Sequence, residues 1–491
     1  MLPYHIAQSS PAVNTLTGRI MQFSTHSFSL ARERAREKPR TAWPGLLDAY
    51  AEAGTMTADT VDVSQPLGVH AMTAADGAML LSPYRVLDLT DARGLLCGKI
   101  LADLGADVIQ IEPPGGSSAR NIGPFYNGIA HPEKSLFWWA YAVNKRGITL
   151  NLACVDGRQL FTRMVQQADF LIESFPPGYL DDLGLGYTAL ETINPALVMV
   201  SITPFGQDGP YAHYQATDVV GMAMSGLMYL TGDSDRAPVR VGFPQFYLHG
   251  AAAGATGAMI AHTSRVLTGS GQHVDVSCQQ AVARSLAHAP QFWQLENLAL
   301  KRLGAFRQNA GEAKVRVNWR CQDGYVNFMP GGGGAGSVRS VRALLAWMRE
   351  EGMPNDELEA VKWEELGYGT GRAEIMDKTA EAVGAFFATR KRDDLVRESA
   401  QRRVMLFPVA TAHDIVAHPQ LEARGYFEQL EHPELHASIT YPGLFVKDVG
   451  GKRLGLRRRP PLIGEHNEEL YQGELGLTPE ALATLKHGGV I

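Results

Sequence analysis

Asp218, Glu112, His249 and the glycine run at 331–334 are the residues of this chain whose type and setting invite chemistry. Asp218 follows Tyr211-Ala212-His213-Tyr214-Gln215-Ala216-Thr217 and opens an otherwise apolar helical stretch. A carboxylate there serves either a reaction or simply the N-terminal end of a helix. His249 lies among small residues and reads as a packed or capping histidine before it reads as a base. Glu112 ends an apolar strand where a dinucleotide-binding fold puts its ribose partner. The turn that should carry the glycine fingerprint instead reads Thr90-Asp91-Ala92-Arg93-Gly94-Leu95-Leu96-Cys97-Gly98, with glycines at the wrong spacing. Gly331-Gly332-Gly333-Gly334 lacks the Lys-Ser/Thr ending of a phosphate loop and reads as a connector or lid. Cys97, Cys154, Cys278 and Cys321 form no CxxC pair, and the fifteen histidines form no HExxH. Neither a metal site nor a disulfide framework is expected, and a reducing compartment, the cytoplasm, is the simpler setting.

The elements that must position these residues begin at Tyr84. Tyr84–Leu89 reads as a buried strand, Gly94–Gly105 as a helix and Ala106–Glu112 as a second strand, closed by Pro113-Pro114-Gly115-Gly116. Strand–helix–strand at this spacing is a βαβ unit, hence a parallel sheet. The unit recurs, with helices at Gly157–Ala168 and Tyr187–Ile193 and strands at Asp169–Glu173, Leu197–Ile202 and Gln272–Ser277. Further helices are expected at Asp218–Leu230 and His249–Leu267. Beyond residue 310 the texture changes. A hairpin is expected from Val315–Cys321 and Gly324–Met329, then helices at Val338–Glu351, Ile375–Thr389 and Lys391–Gln401, and a last helix at Thr478–Lys486. The fold class expected is α/β: a Rossmann-like large domain with a parallel sheet and a smaller α+β domain. The divisions are 1–82 as a poorly ordered N-terminal extension with one short helix around Ser29–Lys38, 83–310 as the first part of the large domain, 311–432 as the small domain, and 433–491 as a return to the large domain.

At 491 residues, 45% hydrophobic and 20% charged, the chain has material for more than one core and is not disordered throughout. A net charge of −6 argues against a nucleic-acid binder, which needs a basic face. The longest uncharged stretch outside the extension that bears on a membrane reading, Val241–Ser264, is broken by Pro244, Gln245, His249, Thr256 and glycines, so it reads as a buried helix and no membrane partner is expected.

Taken in order, several segments resemble the family III coenzyme A transferases, the group containing formyl-CoA and carnitine CoA transferases. They are VLDLTDARGLLCGKILADLGADVIQIEPPGG at Val86–Gly116, NKRGITLNL at Asn144–Leu152, ESFPPGYLDDLGLGY at Glu173–Tyr187, NPALVMVSITPFGQDGPY at Asn194–Tyr211, TGSGQHVDVS at Thr268–Ser277 and the tail PPLIGEH. SFPPGYL, SITPFGQ and Pro244–Gly250 look most like benzylsuccinate-type transferases, which pair two related subunits and act on bulky aromatic acids. The resemblance implies two chains threaded through each other like links. It also implies CoA or acyl-CoA as co-substrate with a small carboxylic acid, and no tightly bound cofactor or metal. In the implied reaction an Asp carboxylate attacks the thioester to form a mixed anhydride. The released thiolate then gives an aspartyl-CoA thioester, and the acceptor acid completes the exchange.

Residue by residue, the resemblance carries over unevenly. It places the nucleophilic Asp three residues after the proline of V-G-x-P, here Val241-Gly242-Phe243-Pro244, and that position holds Tyr247. A phenol with an ordinary pKa of about 10 cannot do carboxylate anhydride chemistry. Three basic CoA positions are Pro113, Ala153 and Asp182 instead. Arg93, Gly94, Leu150, Ser174 and Phe175 match CoA-contacting positions, and Asp218 matches an acidic position bordering the active site. Phe243, Phe246, Tyr247 and Trp293 supply aromatic groups that suit either a bulky acid or a core. Three functional readings follow: a transferase subunit lacking its own nucleophile in a heteromer, an active homodimeric transferase using Asp218 or a rearranged site, and a non-catalytic CoA-binding or scaffold protein. Deleting the extension to about Ser82 is expected to leave the thermal transition nearly unchanged, and loss of soluble protein would show the opposite.

Overall fold

The computed structural model describes residues 79–308, 314–331, 334–366, 373–447 and 454–491, so the expectations for the extension before Met79 lie outside the described residues. Six strands form one parallel sheet: β1 (Arg85–Asp88), β2 (Asp107–Glu112), β3 (Arg146–Thr149), β4 (Phe170–Glu173), β5 (Val198–Thr203) and β6 (Gln272–Ser277). Their spatial order is β3-β2-β1-β4-β5-β6, the doubly wound arrangement of a Rossmann-like domain. The chain moves outward from β1 to β3, returns to β4 beside β1, and moves outward again. The crevice between the carboxyl ends of β1 and β4 is therefore the topological switch point.

β1 to β5 are buried on both faces because helices cover both, whereas the edge strand β6 is exposed over Gln272, His273 and Asp275. On one face α1 (Leu95–Asp103) lies beneath a long helix, Phe246–Thr268, whose Gly250, Ala251, Gly254, Ala255, Ala258 and Ala261 form its buried stripe. Small residues are required there: a Cβ at Gly250 would lie 2.2 Å from Cys278 Sγ. This helix takes up most of the uncharged stretch Val241–Ser264, and no described helix is long and apolar enough to cross a membrane. On the other face α2 (Val155–Val165) and α3 (Tyr187–Ile193) pack with Leu160, Phe161 and Leu190 into a second cluster that also holds Leu470, Tyr471 and Ile491 from the C-terminal tail. The helix opening at Asp218, α4 (Asp218–Met224), is shorter than its apolar pattern suggests. Gly226 adopts φ +86° just past its end, a left-handed turn that closes the helix. The long helix is α5.

Three buried polar side chains join the first three strands. Lys145 Nζ donates to Asp88 Oδ2 at 2.8 Å, to Gln110 Oε1 at 2.9 Å and to Leu95 O at 2.9 Å, and all three polar side chains are fully buried. Asp88 Oδ1 accepts from Thr90 Oγ1 at 2.6 Å and Thr90 N at 2.9 Å, while Gln110 Nε2 donates to the carbonyls of Asp88 and Thr90. Burial lowers the Lys145 pKa, against the opposing attraction of Asp88. A Cβ on Gly98 would meet Asp88 Oδ2 at 2.0 Å, so α1 needs glycine there to pass over the network.

The tail seals the β3 edge. Gly147 N donates to His466 Nδ1, His466 N to Gly147 O, Thr149 N to Asn467 Oδ1 and Asn151 N to Val490 O. Side chains between Val315 and Leu406 build their own core. β9 (Asn318–Cys321), β10 (Gly324–Phe328) and β11 (Leu406–Pro408) form an antiparallel sheet backed by the helices Ala335–Glu350, Ala373–Ala388 and Arg392–Arg402, with Trp319, Phe328, Trp347 and Phe387 inside. The hairpin starts three residues later than its pattern predicts, because Lys314–Arg316 (β8) pairs instead with Phe306–Gln308 (β7). A further hairpin, β12 (Phe427–His432) with β13 (Ala437–Pro442), was not foreseen. Leu81 is already buried and its N–H donates to Leu104 O, so a truncation testing the extension must keep residues from Met79.

Lys145→Met leaves Asp88 buried without its counter-charge. The expected cost is about 3–5 kcal/mol of unfolding free energy, read by urea denaturation, and a loss below about 1 kcal/mol would contradict the network's role.

Candidate functional site

The turn from β1 into α1 is held by its own residues. Arg93 Nε donates to Asp91 Oδ1 at 2.8 Å, and Arg93 N donates to the same oxygen at 3.0 Å. The Ser174 hydroxyl donates to Asp91 Oδ1 and accepts from Asp91 N, both at 3.2 Å, which ties this turn to the end of β4 across the switch point. Gly94 sits where a Cβ would lie 2.4 Å from Thr90 Cγ2.

Beside this turn stands the beginning of α5. Tyr247 OH donates to Ala216 O at 2.5 Å. Burial pushes the phenol up to about 12, with the neighbouring Cys278 adding to the rise and Arg93 opposing it. Asp218 Oδ1 accepts from Gln245 N at 2.6 Å and Phe246 N at 2.9 Å, so its carboxylate caps the first amides of α5 rather than its own helix. His249 Nδ1 bonds Gln245 O at 2.9 Å, which fits a packed, capping histidine. Cys278, buried against Tyr247, has a thiol pushed up to about 12 by burial and is therefore a poor nucleophile. Of the four aromatic residues near this region, Phe246 is fully buried core against Gly221, whereas Phe243 and Trp293 are more than half exposed.

On the other side of the turn a cleft of about 360 Å³ opens at the carboxyl ends of β1 to β4. Leu89, Leu150, Leu152 and Phe175 form its apolar walls, and Pro113 and Ala153 line it where the resemblance has cations. The Phe175 and Tyr179 rings stack at 4.6 Å. Glu112 is not available to a ribose. Both its oxygens are taken by Arg120, at 2.6 and 2.7 Å, and Ser117 N adds a third bond. Arg120 in turn lies 3.9 Å over the Trp138 ring and reaches Pro461 O in the tail. The structure thus gathers Arg93, Ser174, Tyr247 and Asp218 around one turn and puts Leu150 and Phe175 on the adjoining cleft.

One residue singled out only as part of a motif stands out in the structure. Glu173, at the end of β4, is buried, and its Oε2 accepts from Phe175 N at 2.6 Å. Ser201 also hydrogen-bonds its carboxyl, and Ser201 Oγ lies 2.8 Å from His273 Nε2. Desolvation lowers the His273 pKa, and its contact with Ser201 extends a hydrogen-bonded chain toward Glu173. Burial pushes the Glu173 carboxyl up to about 7, while Ser201, Phe175 N and Arg93 oppose the rise. The only sequence signal for this was a charged residue closing an apolar strand.

The model of CoA-transferase family III matches residues 81–467. The chain belongs to that family. It is 35% identical over 390 residues to succinyl-CoA:(R)-benzylsuccinate CoA-transferase subunit BbsE of Thauera aromatica, covering 79% of this chain and 93% of that one. It is 30% identical over 415 residues to succinyl-CoA–D-citramalate CoA-transferase of Chloroflexus aurantiacus, covering 84% and 98%. Among solved structures, a CAIB/BAIF family protein from Brucella suis superposes with a TM-score of 0.67 at 28% identity, over 80% of this chain and 98% of that one. The family expected from the motifs is the family found, and its reactions use CoA thioesters.

Glu173→Gln keeps the acceptor for Phe175 N and removes the titration. Folded Glu173 holds its proton between its usual 4.5 and about 7, whereas the unfolded chain releases it at 4.5. Its contribution to stability is therefore full below pH 4.5 and is lost as pH rises through 7. The variant should gain on the parent by on the order of 3 kcal/mol between pH 4.5 and pH 8, read by denaturant unfolding. A difference that stays constant with pH would contradict the assignment.

Proposed function

We propose that this chain is the nucleophile-lacking subunit of a heteromeric family III CoA-transferase, one that moves CoA between an acyl-CoA and a bulky or aromatic carboxylic acid. The carrying observation is Tyr247. At the position where the resemblance expects an Asp, its phenol stays protonated and donates to Ala216 O. A nucleophile must present a lone pair to the thioester carbonyl, and this oxygen cannot be both a phenolate and that donor. The Thauera relative, named as a subunit of a transferase acting on benzylsuccinate, supports both the assembly and the acid class. Exposed Val219, Val220, Ile260, Val266 and Leu267 on α4 and α5 supply apolar surface for a second chain, in keeping with a threaded assembly.

In this reading the partner chain brings the carboxylate that forms the anhydride, and this chain contributes the Arg93–Asp91–Ser174 turn and the cleft beside it. A second reading, an active homodimer with Asp218 as nucleophile, draws on Asp218 Oδ2, which accepts no hydrogen bond from the described residues. Using it would pull the cap off α5.

The test is to incubate this chain with an acyl-CoA, alone and after co-expression with a family III chain that carries the Asp, then trap with hydroxylamine and weigh both intact chains. Modification is expected on the partner only. An adduct at Asp218 would establish the homodimer, and no binding or turnover in any combination would leave a scaffold. Tyr247→Asp is expected to give at most weak activity, because Pro113, Ala153 and Asp182 remain and each missing charge-assisted bond costs about 1.5–3 kcal/mol.

A further inference from the structure

A buried carboxyl with a route to the surface stands behind the β1–α1 turn. Glu173 is bonded by one amide, Phe175 N, and one hydroxyl, Ser201. Among the described residues it forms no ion pair, and Arg93, whose charge acts on it, is bonded to Asp91 instead. Ser201 Oγ continues to His273 Nε2 at 2.8 Å, and His273 lies on the exposed edge strand β6 with its ring stacked on Tyr187. A proton can pass along these three side chains between solvent and Glu173 without the sheet opening. Asp181, on the short helix after β4, disfavours a Glu173 anion and, with Asp275 on β6, draws a proton to His273. On the turn side Arg93 acts on Tyr247 and Cys278 as well as on Glu173. Only Nε and the backbone N of Arg93 bond Asp91. Its Nη1 and Nη2 meet no hydrogen-bond partner among the described residues, and the side chain is 31% exposed.

We infer that Glu173 is a positioning residue acting through Arg93: a carboxylate or phosphate oxygen taken by Arg93 Nη1 and Nη2 makes Glu173 take up a proton through Ser201 and His273, and neutral Glu173 leaves Arg93 its charge for that anion. The inference rests on the CoA-transferase reading proposed above. Burial pushes the carboxyl up to about 7 while Arg93 opposes the rise, so a bound anion that cancels the Arg93 charge lifts it further. Binding then consumes protons near neutral pH. By reciprocity the anion binds more tightly below pH 7 than above it.

Titration calorimetry on the full chain tests this, in buffers of low and high ionisation enthalpy from pH 6 to 8.5. The probes are acetyl-CoA, which carries phosphate and no carboxylate, and phenylsuccinate, which carries carboxylates and no phosphate. The parent should take up about half a proton more than Glu173→Gln at pH 7.5, a difference in which the probe's own titration cancels. Its affinity relative to Glu173→Gln should fall about three- to tenfold from pH 6 to 8.5. Whichever probe shows this carries the oxygen that Arg93 holds. Ser201→Ala removes a bond that favours the Glu173 anion, so it should move the midpoint of the parent's pH profile up by about half a unit or more. Equal proton counts in parent and Glu173→Gln for both probes, or an unmoved midpoint in Ser201→Ala, would overturn the inference and leave the transferase reading standing. Binding of neither probe at any pH, alone or after co-expression with a family III chain that carries the Asp, would overturn both.

Discussion

An ammonium buried between a carboxylate and an amide holds the large domain together. Lys145 reaches back from the start of β3 to Asp88 on β1 and Gln110 on β2, and its third proton goes to Leu95 O at the head of α1. Its three donors are all used, and the acceptors belong to three different elements. The geometry of the β1–α1 turn follows, because Asp88 Oδ1 also fixes Thr90, and Thr90 fixes the space that Gly94 must leave open. Such a network contributes less to net stability than an apolar replacement of equal volume would, since three polar groups had to leave water. What it supplies is register. Only one arrangement of the first three strands satisfies every donor and acceptor, and the crevice beside β1 inherits that arrangement.

The same economy of charge runs through the site. Arg93 Nε is committed to Asp91, Arg120 to Glu112 and Glu133, and Asp218 to the first amides of α5. The ionised groups nearest the crevice are thus fixed in place. Tyr247 fits the pattern, since its hydroxyl fastens the start of α5 to the segment before α4 through Ala216 O. A carboxylate at this position would find a carbonyl facing it rather than a donor. Position 247 is therefore built around a donor, and restoring an acid there asks the Ala216 backbone to move.

The parallel sheet was legible in the residues because its strands are short apolar runs set at regular distance from helical ones. Asp169–Glu173 and Gln272–Ser277 fall within a residue of where the pattern puts them. β3 was harder to see: Arg146-Gly147-Ile148-Thr149 carries one large apolar residue and is buried by the tail rather than by its own hydrophobicity. The hairpin of β12 and β13 was missed for a related reason, since its exposed Glu and Gln residues mask the alternation. At the site, residue type announced Asp218 and Tyr247, but not what they bond. The capping of a helix that begins 28 residues after Asp218 is a tertiary fact. The elevated carboxyl of Glu173 is another, because it depends on burial supplied by neighbouring strands.

The tail has a consequence for how the molecule comes into being. The amide and carbonyl groups of β3 that face away from β2 are matched by His466 and Asn467, 319 and 318 residues further along the chain from the groups they meet. A nascent chain that has already emitted all six strands still carries a bare sheet edge, open to any other growing copy, until His466 and Asn467 follow. Completion of the sheet thereby waits on a segment made long after its strands, and a chain cut short before His466 keeps an adhesive side.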